Sequence, residues 1–311
     1  MGVHRFTRLV IACAALLIIF SSPAQAEEKE FSFKTTVEEV RLTLVATDKD
    51  NRYIRNLSPT ELAIIDNERV VREFRSFLAV PEVRLNVLIV LDATGSVSIG
   101  PQRDSANVLQ SIAGAPWYPQ DSISVLTFGS AAPQLACLKN CPDQSRATPV
   151  TNMRTGGQTP LFDVLVRGAK YLGVPNSGEE RSVIVLFSDG EDNFSLASAS
   201  QVVRAALDID AQVYTVNLSG SSPEYSRGAR NLLQIARATG GLLLPMDNDI
   251  TLNLQTVLND MRSAYVVTYV PPERTPGRHD VYVHPIRNLG LRLRTRQSYV
   301  YSTGEDMRAS R

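Results

Sequence analysis

Histidine is scarce in this chain. There are three in 311 residues, and apart from His4 only His279 and His284 remain, both near the C-terminus. A Ser-His-Asp triad or a His-rich catalytic zinc therefore has little to build on. No Gly-rich phosphate loop is present. Charge of one sign is missing too: 32 Lys and Arg balance 32 Asp and Glu, so no global basic field draws nucleic acid. The apolar stretch Leu9 to Phe20 falls short of the ~20 residues that a membrane-spanning helix needs. What the chain does have is a 43% hydrophobic content, ordinary for a soluble globular protein, and length enough for a large core and about two domains.

The short apolar stretch has a different reading. Arg5 and Arg8 precede it, and Ala24-Gln25-Ala26 follows with small residues suited to cleavage before Glu27. That is the pattern of a secretory signal. Residues 1–26 are expected to be removed, leaving an exported chain, periplasmic or secreted, without a transmembrane segment. Cys137 and Cys141 are then the only cysteines left. An oxidising compartment favours a bridge between them. The alternatives are two reduced thiols or, with only two ligands and no nearby His, a zinc site.

The stretch around which the chain is organised is Asn86 to Ser96, NVLIVLDATGS. Its apolar, partly β-branched run reads as a strand buried on both faces. In an open parallel sheet such strands deliver functional groups at their carboxyl ends. Asp92, Thr94 and Ser96 are therefore expected together on the loop leaving this strand, with Gly95 allowing a tight fold. Oxygen ligands converging on one point suit a hard divalent cation. Two further stretches carry oxygen side chains at comparable places: GGQTPLFD with Thr159, and VIVLFSDGED, a second buried run ending on Asp189.

This ordered triplet resembles the von Willebrand factor A domain with its metal-ion-dependent adhesion site, D-x-S-x-S followed by a Thr and then an Asp. The pattern is filled by Asp92, Thr94, Ser96, Thr159 and Asp189, with Thr94 in place of the first Ser. Thr keeps the hydroxyl, adds a methyl and stiffens χ1. The resemblance implies Mg²⁺ or Mn²⁺ as the ion. It also implies a partner protein that completes the ion's shell with an Asp or Glu. Read only as local structure, Thr159 before Pro160 would be a helix N-cap with Pro at the first helical position. Glu191 and Asp192, just after Asp189, could tune the site from outside, but read first as solvated loop charges.

The rest of the mature chain divides by texture. In VRLTLVATDKDNRYIRNL, Val40, Leu42, Leu44 and Ala46 alternate onto one face before a turn at Asp48 to Asn51. ELAIID and VVREFRSF read as partner strands about the turn Asp66-Asn67-Glu68. From Asn86 onward the order is α/β. Helices are expected near Arg103 to Ile112, Leu161 to Leu172, Ser200 to Ile209, Arg227 to Thr239 and Thr251 to Met261. Strands are expected at Ser122 to Phe128, Pro133 to Lys139, Val183 to Phe187, Gln212 to Val216 and Leu242 to Leu244. The tight turn at Gly129-Ser130 makes the first two of these strands an antiparallel hairpin at the sheet edge. Strand patterns return at Tyr265 to Val270, Asp280 to His284 and Leu291 to Tyr301.

Both flanks resemble the leading and closing β segments of exported bacterial proteins with a von Willebrand factor A-related domain, a family expanded in acidobacteria. Asn51 stands where that family commonly has Gly, and Asn tolerates the left-handed turn conformation. The expected architecture is a mostly parallel α/β sheet flanked by helices, inserted in a small β-sandwich formed by the two arms. The expected divisions are 27–83, 84–263 and 264–311. The expected function is a metal-dependent adhesion or assembly module and not an enzyme. Competing readings are a metal-free envelope scaffold and an Asp-based phosphohydrolase, whose D-x-D signature is broken by Thr94.

Overall fold

The central sheet forms because its strands are apolar on both faces and alternate with amphipathic helices. The computed structural model describes residues 39–79, 83–94, 105–129, 132–142, 151, 158–175, 180–246 and 250–301. The expected signal peptide and Ser96 lie outside the described residues. In chain order the first strands are β1 (Val40–Thr47), β2 (Leu62–Asp66), β3 (Arg69–Val70), β4 (Phe74–Ala79) and β5 (Arg84–Asp92). Then come α1 (Ser105–Ala113), β6 (Ser122–Phe128), β7 (Gln134–Lys139), α2 (Leu161–Leu172), β8 (Glu180–Ser188) and α3 (Ala199–Asp208). They are followed by β9 (Gln212–Asn217), α4 (Arg227–Thr239), β10 (Leu243–Pro245) and α5 (Ile250–Arg262). The chain closes with β11 (Tyr265–Tyr269), β12 (Gly277–Pro285), β13 (Arg292–Arg294) and β14 (Ser298–Tyr301).

Six strands make the α/β sheet in the order β10-β9-β8-β5-β6-β7. All neighbours run parallel except the β6–β7 hairpin at the edge. The alternation of β5 sorts its side chains between two cores. Leu88 and Val90 pack with residues of α2, α3 and α4, while Val87, Ile89 and Leu91 pack with residues of α1 and α5. Helix ends follow local chemistry. Ser198 and Gln201 form a capping box before α3, Ser226 caps α4, and Gly240 takes the left-handed conformation that ends α4 (φ 81°). Cys137 and Cys141 are joined by a disulfide at the β7 edge.

The two arms pair with each other as expected. One four-stranded sheet runs β13-β1-β11-β4, the other β14-β12-β2-β3. Leu42, Leu44, Leu62, Ile64, Val267 and Val281 meet in a core between them. Asn51 holds the left-handed turn conformation (φ 61°).

Two expected strands are broken in the structure, each at a crossing between sheets. VVREFRSF gives β3 beside β2 in one sheet, then β4 beside β11 in the other. The break falls at Val71-Arg72-Glu73, where Val71 is buried directly after exposed Val70, so the period of two cannot run through. Leu291 to Tyr301 likewise divides into β13 and β14.

Candidate functional site

β5 and β8 are parallel neighbours in register from Arg84–Glu180 to Leu91–Phe187, so Asp92 and Ser188 emerge side by side at their carboxyl ends. Asp92 is fully buried. Its Oδ1 accepts from the Thr94 backbone amide (3.0 Å) and from Thr94 Oγ1 (2.7 Å), and its Oδ2 accepts from Ser188 Oγ (2.6 Å). Ser188 Oγ in turn accepts from the amide of Gly190 (3.0 Å). Burial pushes the Asp92 carboxyl above the ordinary carboxylate range. The hydrogen bonds from Ser188 and Thr94 oppose this, and the nearby charge of Asp189 adds to it.

Asp189 is buried, and its Oδ1 accepts from the amide of Glu191 (3.0 Å). Two glycines fix the chain here. A Cβ on Gly228 of α4 would lie 2.2 Å from the Asp189 carbonyl oxygen, and one on Gly190 would lie 2.2 Å from the Gly228 carbonyl oxygen. Gly190 also has φ 78°. Glu191 Oε1 accepts from the Gly228 amide (2.9 Å), and Asn231 Nδ2 donates to the Gly190 carbonyl (3.1 Å). The start of α4 is thus clamped onto the Asp189 loop.

Thr159 is buried and reaches the same loop through Asn193, whose side-chain oxygen accepts from the Thr159 amide (2.9 Å) and whose own amide donates to the Thr159 carbonyl (3.2 Å). It does not cap α2. Pro160 occupies the N-cap position, without a side-chain cap bond. The free amides at the start of α2 go instead to the loop after Asp189: Phe162 donates to Asp192 Oδ2 (3.0 Å) and Asp163 to Ser195 Oγ (3.0 Å). Asp163 returns the bond by accepting from the amides of Leu196 (3.2 Å) and Ala197 (2.9 Å). Glu191 and Asp192, read from sequence as solvated charges, are therefore fastening groups.

Of the five predicted ligands the structure brings Asp92, Thr94 and Asp189 together around Ser188, docks Thr159 onto the Asp189 loop, and leaves Ser96 outside the described residues. Ser188, Asn193 and Ser195 were missed, and Asp192 was read first as a loop charge. Ser188 had a usable signal, since it ends a buried strand immediately before Asp189. The donor set fits a hard cation. The Thr94 proton is already placed on Asp92, so the hydroxyl's lone pairs remain to be offered. Asp92 and Asp189 are the two carboxylates, and among the described residues no group of three His, Cys, Asp or Glu is arranged to hold a metal. A softer, nitrogen- or sulfur-rich site is not what these residues build.

An open α/β sheet with hydroxyls and carboxylates gathered at the carboxyl ends of its middle strands defines a class of oxygen-ligand binding domain. The chain belongs to the von Willebrand factor type A domain family, whose profile matches residues 86–259, more than half of its length. No curated protein matches it. Among solved structures it is similar to the conserved hypothetical protein BatB from Bacteroides thetaiotaomicron, with 16% identity over 57% of this chain and 98% of that one and a TM-score of 0.40. It is also similar to an aerotolerance-related membrane protein from Bacteroides fragilis, with 17% identity over 56% and 98% and a TM-score of 0.39. A third is proximal thread matrix protein 1 from the mussel byssus, in a structure described as having a zinc-occupied MIDAS motif. Identity there is 14% over 63% and 49%, with a TM-score of 0.39.

Proposed function

We propose that the protein is an exported, non-enzymatic binding module that captures an Asp or Glu of a partner protein through Mg²⁺ or Mn²⁺ held by Asp92, Thr94, Ser96, Thr159 and Asp189. The observation that carries this reading is the pair of hydroxyl bonds to buried Asp92, from Thr94 and from Ser188. They hold one carboxylate in place while leaving Thr94 with lone pairs to offer. A cation at such a site supplies positive charge and a position open to an incoming carboxylate.

The chain's own residues supply the setting. Ser188 orients Asp92, Asn193 fixes Thr159, and the paired glycines at 190 and 228 hold Asp189 against α4. Export is supported by the leader pattern and by the disulfide, which suits an oxidising compartment. No helix among the described residues is long and apolar enough to cross a membrane. Both Asp92 oxygens are engaged by hydroxyl donors, an arrangement that blunts a nucleophile and favours binding over phosphoryl transfer.

Calorimetric titration of Mg²⁺ and Mn²⁺ into chelator-treated mature chain, repeated with a glutamate-bearing peptide present, is the test. Saturable binding in the wild type that is lost in Asp92→Ala and Asp189→Ala supports the reading. Absence of binding in the wild type, or equal binding in both variants, overturns it in favour of a metal-free scaffold.

A further inference from the structure

The two sheets of the sandwich share their edges. On one side the terminal strands β13 and β14 come from a single stretch, residues 292–301; on the other, β3 and β4 come from residues 69–79. The first edge is covered by the α/β domain. Arg294 binds Asp260 and the Gly240 carbonyl, Arg296 binds Asp210 (2.8 Å), and the Gln297 amide donates to the Ala238 carbonyl (3.2 Å).

The second edge borders a cleft of about 590 Å³ lined by Arg69, Val70, Arg72, Arg75, Pro271 and Pro272 together with Glu73. Val70 is 57% exposed there. Arg75 sits at a bulge: Phe74 pairs with Tyr269 and Ser76 with Thr268, so Arg75 has no partner on β11. Bulges of this kind re-aim a side chain. Arg69 shares its charge with Glu273 (3.6 Å), whereas Arg72 and Arg75 form no ion pair among the described residues. The backbone from Arg72 to Glu73 belongs to neither sheet.

We propose that this open edge is a second binding site, independent of the metal site, for an extended acidic segment of a partner protein. The segment adds as a strand along β4, residues 74–79, and places its carboxylates on Arg75 and, where it passes the crossing, on Arg72. Three features select that occupant. Among the described residues the outer edges of β3 and β4 are unpaired, and such edges offer main-chain hydrogen bonds to an extended chain. Arg72 and Arg75, three positions apart across the crossing, offer exposed charge without an ion pair among the described residues. Val70, Pro271 and Pro272 supply an apolar floor for the alternate side chains. Arginine on an edge strand also serves to discourage unwanted pairing, and a charge reversal separates the two roles, because glutamate guards an edge as well as arginine does.

The experiment is fluorescence anisotropy of the mature chain, kept in chelator, with a labelled peptide of alternating glutamate and threonine. Its lysine-threonine counterpart serves as control and a uronic-acid polysaccharide as competitor class. The expected result is saturable, salt-weakened binding of the acidic peptide, reduced at least about tenfold in Arg72→Glu/Arg75→Glu and retained in Arg72→Lys/Arg75→Lys. No binding, equal binding of the lysine peptide, an unaffected reversal variant, or binding of the polysaccharide alone would each overturn it. Because chelator is present throughout, failure here leaves the metal site untouched, and loss of metal binding leaves this site untouched.

Discussion

One guanidinium nitrogen of Arg294 in β13 donates to both carboxylate oxygens of Asp260 in α5, at 2.5 and 2.6 Å, and joins the last helix of the α/β domain to the sandwich. Asp260 also accepts from Tyr214 (2.7 Å) and Tyr53 (3.2 Å), so three side chains from separate parts of the chain meet at one buried carboxylate. Removing one partner of such a pair typically costs about 3–5 kcal/mol, because the other charge is left buried. Arg294→Met is expected to lower the urea midpoint strongly. The double variant Asp260→Asn/Arg294→Met should lose less than the sum of the two single changes in a double-mutant cycle.

The neighbouring residues make the same end of α5 rigid. Buried Arg181 donates to the Met261 carbonyl (2.9 Å), and Arg262 donates to the Val83 carbonyl (2.6 Å) and to Asp121 (2.6 Å). In the adhesion domains that the sequence resembles, the corresponding helix shifts along the sheet on ligand binding, and α5 runs straight into β11 in a way that would transmit such a shift. Three consecutive anchored residues favour a fixed connection instead. Hydrogen exchange of β11 to β14 is expected to gain no more protection with Mg²⁺ than the α/β sheet does; protection in these strands that falls, or rises by more than that of the α/β sheet, would show the helix to be a moving part.

Metal removal should be visible in stability. An ion that binds only the folded state adds about 2.7 kcal/mol at a hundredfold excess over its dissociation constant. The melting temperature of the wild type is expected to rise with Mg²⁺, and that of Asp92→Ala to stay flat, as read by differential scanning calorimetry.

Asp192 gives a separate handle on Thr159. Its carboxylate takes the Phe162 amide and both groups of Ser195. Asp192→Ala is expected to cost about 1 kcal/mol, as for loss of a helix cap. It should also weaken Mg²⁺ binding without abolishing it, since it loosens the mount of Thr159 and leaves Asp92 and Asp189 in place. Metal affinity equal to that of the wild type would count against Thr159 as a ligand.

The disulfide closes a short loop, its cysteines four positions apart in sequence. Chain entropy then gives about 2 kcal/mol. Cys137→Ser/Cys141→Ser is expected to be less stable to urea by that margin, and intact mass of the wild-type mature chain after alkylation without reductant should show no labelled thiol.

Much of this was legible in the sequence because it depends on local pattern. The bounds of α2 and α4 followed from apolar spacing and from Gly240 as a stop, and the pairing of the two arms from the return of period-two texture after α5. Asp92, Thr94 and Asp189 were legible as oxygen side chains at the ends of buried runs. What escaped depends on the third dimension. Nothing local distinguishes Asp192, which fastens α2 from thirty positions away, from a solvated acid. Nor does local pattern show that Trp117 is anchored by its indole, which donates to the Ile112 carbonyl (2.7 Å). The two strand breaks escaped because a crossing between sheets looks from sequence like a strand with one misplaced apolar residue.

The interleaving of the arms also dictates an order of events during folding. In the first sandwich sheet β1 and β4 alternate with β11 and β13, so neither half can form a sheet alone. Contacts that close the sandwich core, such as Tyr299 with Asp66, join residues 233 positions apart. Such distant pairings are slow to find unless the intervening chain has already drawn its ends together. The α/β domain does that, because β5 and α5 belong to one unit whose ends lead directly into β4 and β11. The leading arm must therefore wait, with the edges of β1 and β2 uncovered, until the final stretch of the chain arrives. A chain stopped just before Tyr265 would hold the complete α/β sheet beside an open, aggregation-prone half-sandwich.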